Sequence, residues 1–215
     1  MSKKHAYEGK GLTVTFEAAR CIHAAECVHG LPDVFDPQAR PWVAPDAAAP
    51  EALEKVIEAC PTGALRYRRA DGEDEAPDTE ATFSVVADGP LHARGDLHLT
   101  LPDGSTERLT RLALCRCGAS ANKPFCDNSH DEAGFRDNGG LGAESAKPVE
   151  EETAPPIKLR LRPDGPVVVE GNCTVRSADG ATAHQGGQVA LCRCGGSARK
   201  PYCDGSHKRN GFKAD

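Results

Sequence analysis

The chain has 215 residues, of which only 39% are hydrophobic and 5% aromatic, and a formal net charge of −6. No apolar run approaches the ~20 residues of a membrane span. The start, MSKKHAYEGKG, lacks the apolar core of a secretory signal, so a cytoplasmic protein is expected. Ten cysteines beside 22 Gly and 16 Pro point to small, turn-rich domains held by metal or redox chemistry, because clustered cysteines in a reducing compartment seldom form disulfides.

The front of the chain reads as a small α/β domain over residues 1–70. LTVTFE (Leu12–Glu17) alternates like a strand. APEALEKVIEAC (Ala49–Cys60) has helical apolar spacing, with Pro50 near its start and Cys60-Pro61 ending it. Its cysteines are Cys21, Cys27 and Cys60, in the frame C-x2-A-x2-C with a remote Cys-Pro. Bacterial-type ferredoxins use C-x2-C-x2-C with a remote C-P, and Ala24 stands at the middle position. Over about residues 5–69 the chain thus resembles the divergent mono-cluster ferredoxin domain of the 4Fe–4S type. The resemblance implies a cluster on Cys21, Cys27 and Cys60. Three cysteines match a [3Fe–4S] cluster; a [4Fe–4S] cluster needs a further ligand, for which His23 is the nearest candidate. The plainer readings are a surface or supporting role for His23, a surface place for His29, a frayed start at His5, and three buried thiols with no metal.

DGEDEAPDTE (Asp71–Glu80) holds six acids and no base, and ESAKPVEEETAPP (Glu144–Pro156) four acids and one base. Neither has apolar periodicity, so residues 71–81 and 144–156 read as solvated linkers bounding domains at 82–143 and 157–215.

Those two domains are copies of one unit. ALCRCGASANKPFCDNSH (Ala113–His130) returns as ALCRCGGSARKPYCDGSH (Ala190–His207), with flanking D-G turns, β-prone runs and a Gly-Phe pair also repeated. Both copies read C-x-C-x8-C-x3-H. Cysteines two apart in extended chain point the same way, and Cys203 and His207, four apart, share one face of a helical turn. Asp204 stands where a cap acceptor is useful, and Asn128 and its counterpart Gly205 both suit a left-handed turn. Three thiolates and an imidazole suit a tetrahedral zinc or a [2Fe–2S] cluster with two ligands on each iron.

CDGSH at Cys203–His207, preceded by C-R-C and K-P, resembles the CDGSH iron–sulfur domain; the first copy differs by Asn128. The resemblance implies one [2Fe–2S] cluster on Cys115, Cys117, Cys126 and His130 and another on Cys192, Cys194, Cys203 and His207. Family members with one motif commonly pair as homodimers, so two motifs in one chain can pair as an internal pseudo-dimer within a monomer. Lys123, Lys200, Arg116 and Arg193 lie within the loops, as charges that offset the clusters or simply as solvated side chains. Cys173 aligns with Leu97 and reads as core; His92, His98 and His184 have no histidine counterpart and no assigned role.

The expected fold is α+β: a ferredoxin-like domain, then two tandem β-rich CDGSH domains. No phosphate loop, nucleophile elbow or paired carboxylates suggest an enzyme, and no basic surface with stacking aromatics suggests nucleic acid. The expected activity is electron transfer or redox sensing with a redox partner protein. One alternative is a cluster carrier that serves an apo iron–sulfur acceptor and releases its cluster when histidine protonates. Another is a colourless, zinc-stapled interaction module.

Overall fold

The computed structural model describes residues 4–142 and 156–214, and contacts within it separate two units, Met1–Ala76 and Pro77–Asp215. The expected linker at 144–156 lies outside the described residues except for Pro156. The structure is mostly β, with few helices, against the expected α+β balance.

In the first unit, β1 (Lys4–Glu8), β2 (Leu12–Glu17) and β3 (Leu65–Arg69) form an antiparallel sheet in the order β1-β2-β3. His5 is therefore a strand residue opposite Phe16, not part of a frayed start. Helix α1 spans Glu26–Gly30, and α2 spans Pro50–Glu58 with Pro50 in its first turn, where a missing N–H costs no hydrogen bond. Leu53 and Ile57 of α2 are completely buried against Leu12, Val14, Leu65 and Tyr67. Each such side chain contributes about 1.5–3 kcal/mol by leaving water. The acidic stretch after β3 is partly anchored: Asp74 pairs with Arg68 at 2.8 Å and Glu75 is buried.

The second unit contains β4 (Ala81–Val85), β5 (Leu91–Thr100), β6 (Thr106–Leu114), α3 (Ser129–Glu132), β7 (Ile157–Leu161), β8 (Val167–Arg176) and β9 (Ala183–Leu191). All six strands belong to one sheet. Strand β4 pairs antiparallel with the first half of β5 and parallel with the second half of β8. Reciprocally, β7 pairs antiparallel with the first half of β8 and parallel with the second half of β5. The two long strands change partners at bulges, between Arg94 and Leu97 and between Glu170 and Cys173. Gly95 (φ 133°) and Gly171 (φ 118°) sit at these bends, where a Cβ would lie 3.0 Å from the Ala81 Cα and 2.7 Å from the Ile157 side chain. Side chains of both repeats fill a common core, among them Phe83, Leu97, Leu99, Leu159, Val169 and Cys173. Ala81, expected in the linker, is thus the first residue of a buried strand. Cys173 is a core residue as its leucine counterpart suggests, and burial pushes its thiol up to about 12.

Candidate metal centres

Each repeat closes its ligand loop with the same few bonds. Cys115 N donates to Pro124 O at 2.9 Å and Cys126 N to Ala113 O at 2.9 Å; Cys192 N donates to Pro201 O and Cys203 N to Ala190 O, both at 2.8 Å. This short zipper brings the C-x-C end beside the C-x3-H end. Ser120 Oγ and Ser197 Oγ donate across the loop to Phe125 O and Tyr202 O at 2.7 and 2.6 Å. Asp127 accepts from Ala121 N at 2.8 Å and Ser129 N at 3.1 Å, and Asp204 from Ala198 N and Ser206 N, both at 2.9 Å. The aspartate therefore fastens the loop to the ligand turn rather than serving as a simple cap: the cap positions are Asn128 (φ 69°) and Gly205 (φ 85°), both left-handed. His130 then lies on α3 and His207 on a 3-10 turn, Ser206–Lys208.

The donors meet in pairs. Cys115 Sγ and Cys117 Sγ are 3.6 Å apart, and Cys126 Sγ lies 3.5 Å from His130 Nδ1. In the second repeat the same separations are 3.7 and 3.5 Å. Among the described residues no three His, Cys, Asp or Glu side chains gather at a single-ion position. Backbone N–H groups of Ala119, Asn128 and Gly205 point at Cys117, Cys126 and Cys203 sulfur, each at 3.4 Å. In the first pair, the bond between the sulfurs holds the proton on Cys115 and favours thiolate at Cys117. Burial pushes the Cys126 and Cys203 thiols up, and Cys192 up to about 11. Such donors bind a soft metal only as they shed protons, so loading releases protons. Thiolate and imidazole in two-by-two sets fit a two-iron cluster, whose irons each take two protein ligands.

The loop cations are not free in solvent. Arg116 and Arg193 are 3% and 2% exposed, and each donates to backbone carbonyls. Lys123 and Lys200 are bonded to the Ser120 and Ser197 carbonyls. His98 meets Asp96 at 3.4 Å and His184 Nδ1 meets Tyr202 Oη at 2.7 Å, while burial lowers the pKa of His92.

In the first unit Cys21, Cys27 and Cys60 line one cavity of about 350 Å³, with Phe16, Val28 and Trp42 in its wall. Burial is the largest influence on Cys21 and Cys27 and raises both; the Cys60 charge raises them further, so the three thiols act on one another. The loop between Cys21 and Cys27 runs through two non-glycine residues of positive φ, His23 (54°) and Ala25 (65°). Local strain of this kind costs on the order of 1–3 kcal/mol and collects at functional sites. His23 lines the cavity but is exposed, and its backbone N–H is what reaches Cys21. His29 is exposed on α1. Trp42, the chain's one tryptophan, packs edge-on against Phe16 at 4.9 Å and Tyr7 at 6.3 Å. Nothing in its local sequence marked it as a wall of the cysteine cavity. Soft donors set around an apolar hollow are suited to an iron–sulfur cluster.

A family model described as a divergent 4Fe-4S mono-cluster matches residues 7–70. A second, described as an iron-binding zinc finger of CDGSH type, matches residues 88–131 and 164–208. The uncharacterized protein YjdI of Escherichia coli strain K12 is 40% identical over 62 residues, covering 29% of this chain and 82% of YjdI; YjdI of Escherichia coli O157:H7 gives the same figures. No solved structure matches.

Proposed function

Since the chain belongs to the CDGSH iron–sulfur family and carries a divergent 4Fe–4S mono-cluster domain ahead of two CDGSH repeats, we propose that it is a cytoplasmic electron-transfer or redox-sensing protein rather than an enzyme. In this reading it holds two [2Fe–2S] clusters and one [3Fe–4S] or [4Fe–4S] cluster, and exchanges electrons with a partner redox protein. The observation that carries the reading is the pairing of donors, Cys115 with Cys117 and Cys126 with His130, and the same in the second repeat. When bound, such clusters supply reversible one-electron uptake. The chain's part is to orient the donors and to set charge around them. One imidazole in place of a thiolate makes each repeat site less negative, which raises its potential relative to all-cysteine ligation. The domain limits proposed are 1–70, 81–143 and 157–215, with Ala81 taken out of the linker as the first residue of β4. The reciprocal pairing of β4 and β7 across the repeats supports their assembly as an internal pseudo-dimer in a monomeric chain. No helix among the described residues is long and apolar enough to cross a membrane.

The test is anaerobic purification, with visible absorption and iron, zinc and acid-labile sulfide measured per chain. A coloured protein with about seven or eight irons is expected from two two-iron clusters plus a three- or four-iron one. A colourless protein with zinc and no sulfide would make this a zinc-stapled module. Clusters kept through repeated reduction and reoxidation support electron transfer; their passage to an apo-ferredoxin would make the chain a cluster carrier.

A further inference from the structure

The two repeats share their donors and differ in the charge of the rim. Residues 120–137 carry two bases and four acids, while the aligned residues 197–214 carry five bases and one acid. Four positions make the whole difference: Asn122 against Arg199, Asp131 against Lys208, Glu132 against Arg209 and Asp137 against Ala214. Asp137 is engaged inside the fold, where its Oδ1 accepts from Arg116 Nη1 at 2.8 Å.

In the second repeat the other three are exposed cations. Lys208 and Arg209 directly follow His207 at the end of its 3-10 turn. Arg199 begins the turn that leads into Cys203, and its carbonyl accepts from Tyr202 N at 2.9 Å. None of the three side chains makes a hydrogen bond or ion pair among the described residues. The one acid of the stretch, Asp204, is turned into the loop, where it accepts from Ala198 N and Ser206 N, both at 2.9 Å. Lys200 and Lys213 are engaged too, with Ser197 O at 2.8 Å and Asp164 Oδ2 at 2.7 Å. Cys203 and His207 are only half-buried, so three uncommitted cations flank the edge where the second site's donors reach the surface. The first repeat presents the opposite rim. Asp131 Oδ1 lies 3.6 Å from His130 Nε2 with its side chain 75% exposed, and Glu132 beside it is exposed.

We infer that the C-x3-H edge of the second repeat is the docking surface for an acidic electron-transfer protein, and that the first repeat's rim turns the same partner away. The inference deepens the electron-transfer reading above and rests on it. Opposite charge steers the encounter and like charge suppresses the wrong site, so two matching donor frames become one entry point. The step moves one electron: the partner's reduced cluster is oxidised, the site of Cys192, Cys194, Cys203 and His207 is reduced, and no proton or ligand is transferred. An acidic protein fits this edge better than nucleic acid does, because the rings of the stretch, Tyr202 and Phe212, are buried and offer a base nothing to stack on.

The experiment is stopped-flow reduction of the full chain, its iron and sulfide counted first, by a reduced plant-type ferredoxin of net negative charge. Freeze-quenched samples read by electron paramagnetic resonance show which site fills. His130→Cys and His207→Cys each alter one ligand set and so identify the two signals. The second repeat's signal is expected first, with a second-order rate that falls as salt is added. Lys208→Glu with Arg209→Glu should slow it about tenfold or more at low salt and leave cluster content unchanged. Wild type and variant should converge at high salt, because steering is screened whereas a shifted potential is not. Asp131→Lys with Glu132→Arg should raise the first repeat's rate toward the second's. Filling of the first repeat ahead of the second, a rate indifferent to salt, a gap that persists at high salt, or a charge reversal that weakens duplex DNA binding and not reduction would each overturn the inference and leave the clusters standing. A chain without acid-labile sulfide would remove the electron-transfer reading itself.

Discussion

The two repeats of the second unit keep one donor frame and differ in what surrounds it. The loop zipper, the serine and aspartate fasteners, and the sulfur–sulfur and sulfur–nitrogen separations agree to within about 0.2 Å between the copies. The differences lie a layer outward: Asp137 against Ala214, Leu97 against Cys173, Phe125 against Tyr202 and Asn128 against Gly205. Donors fixed by their own loop's hydrogen bonds tolerate changes in nearby charge and polarity. The same ligand set can thus be given two environments, and each differing position is a place to break or sharpen the contrast.

The largest effect is expected at Asp137. Asp137→Ala leaves Arg116 buried without a carboxylate. Breaking a buried pair in this way costs roughly 3–5 kcal/mol. The lower end is expected, because the Gly89 and Val86 carbonyls and the Phe135 ring remain. Chemical denaturation at matched cluster content measures it; a loss below about 1 kcal/mol would mean that the pair is idle. Next comes Cys173. Its folded thiol titrates near 12 against 9.0 in a free chain, because of burial. A raised acid pKa gives stability that is complete below pH 9 and is lost as pH rises from 9 toward 12. The wild type should therefore lose up to about 1.4 kcal/mol per pH unit in that window relative to Cys173→Leu. Parallel stability curves for the two proteins above pH 9 would contradict this. Tyr202→Phe, which copies the first repeat, removes the 2.7 Å bond to His184 Nδ1 and should cost about 1 kcal/mol. Unfolding curves that superimpose on the wild type would show the bond to be neutral.

What could be read from sequence was what is local. Leu12–Glu17 alternates, and it is a strand with those limits. The repeat ligands fall within Ala113–His130 and Ala190–His207, and backbone bonds inside those two short stretches assemble them. The burial of Arg116 and Arg193 could not be read, because the carbonyls that receive them lie 27 to 31 residues earlier in the chain. The exchange of β4 and β7 was equally hidden: Ala81 pairs with Cys173 across the whole of the first repeat, and alternation alone does not name a partner strand. In the first unit the helix was visible from its apolar spacing, whereas Trp42 reaches the cysteine cavity only through tertiary packing. The turn at His23 and Ala25 carried no glycine to announce it.

The smallest effect concerns the one departure from the CDGSH pattern, and two opposing terms decide it. Asn128 adopts φ 69°, ψ 4°, almost the conformation of Gly205 at φ 85°, ψ 4°. A left-handed conformation costs most L-residues about 1–2 kcal/mol, and asparagine less, because its short polar side chain bonds locally. Asn128→Gly relieves that remainder but frees the unfolded chain, which costs about 0.5–1 kcal/mol. The terms nearly cancel, so stability should stay within about 0.5 kcal/mol of wild type. The Asn128 N–H that points at Cys126 sulfur at 3.4 Å is backbone and survives the change. Cluster content and the first repeat's electron paramagnetic resonance signal should therefore be unchanged. A substitution that cost more than about 1 kcal/mol, or that emptied the first site, would show that the Asn128 side chain holds the ligand turn itself and that the two repeats are less alike at their donors than their distances imply.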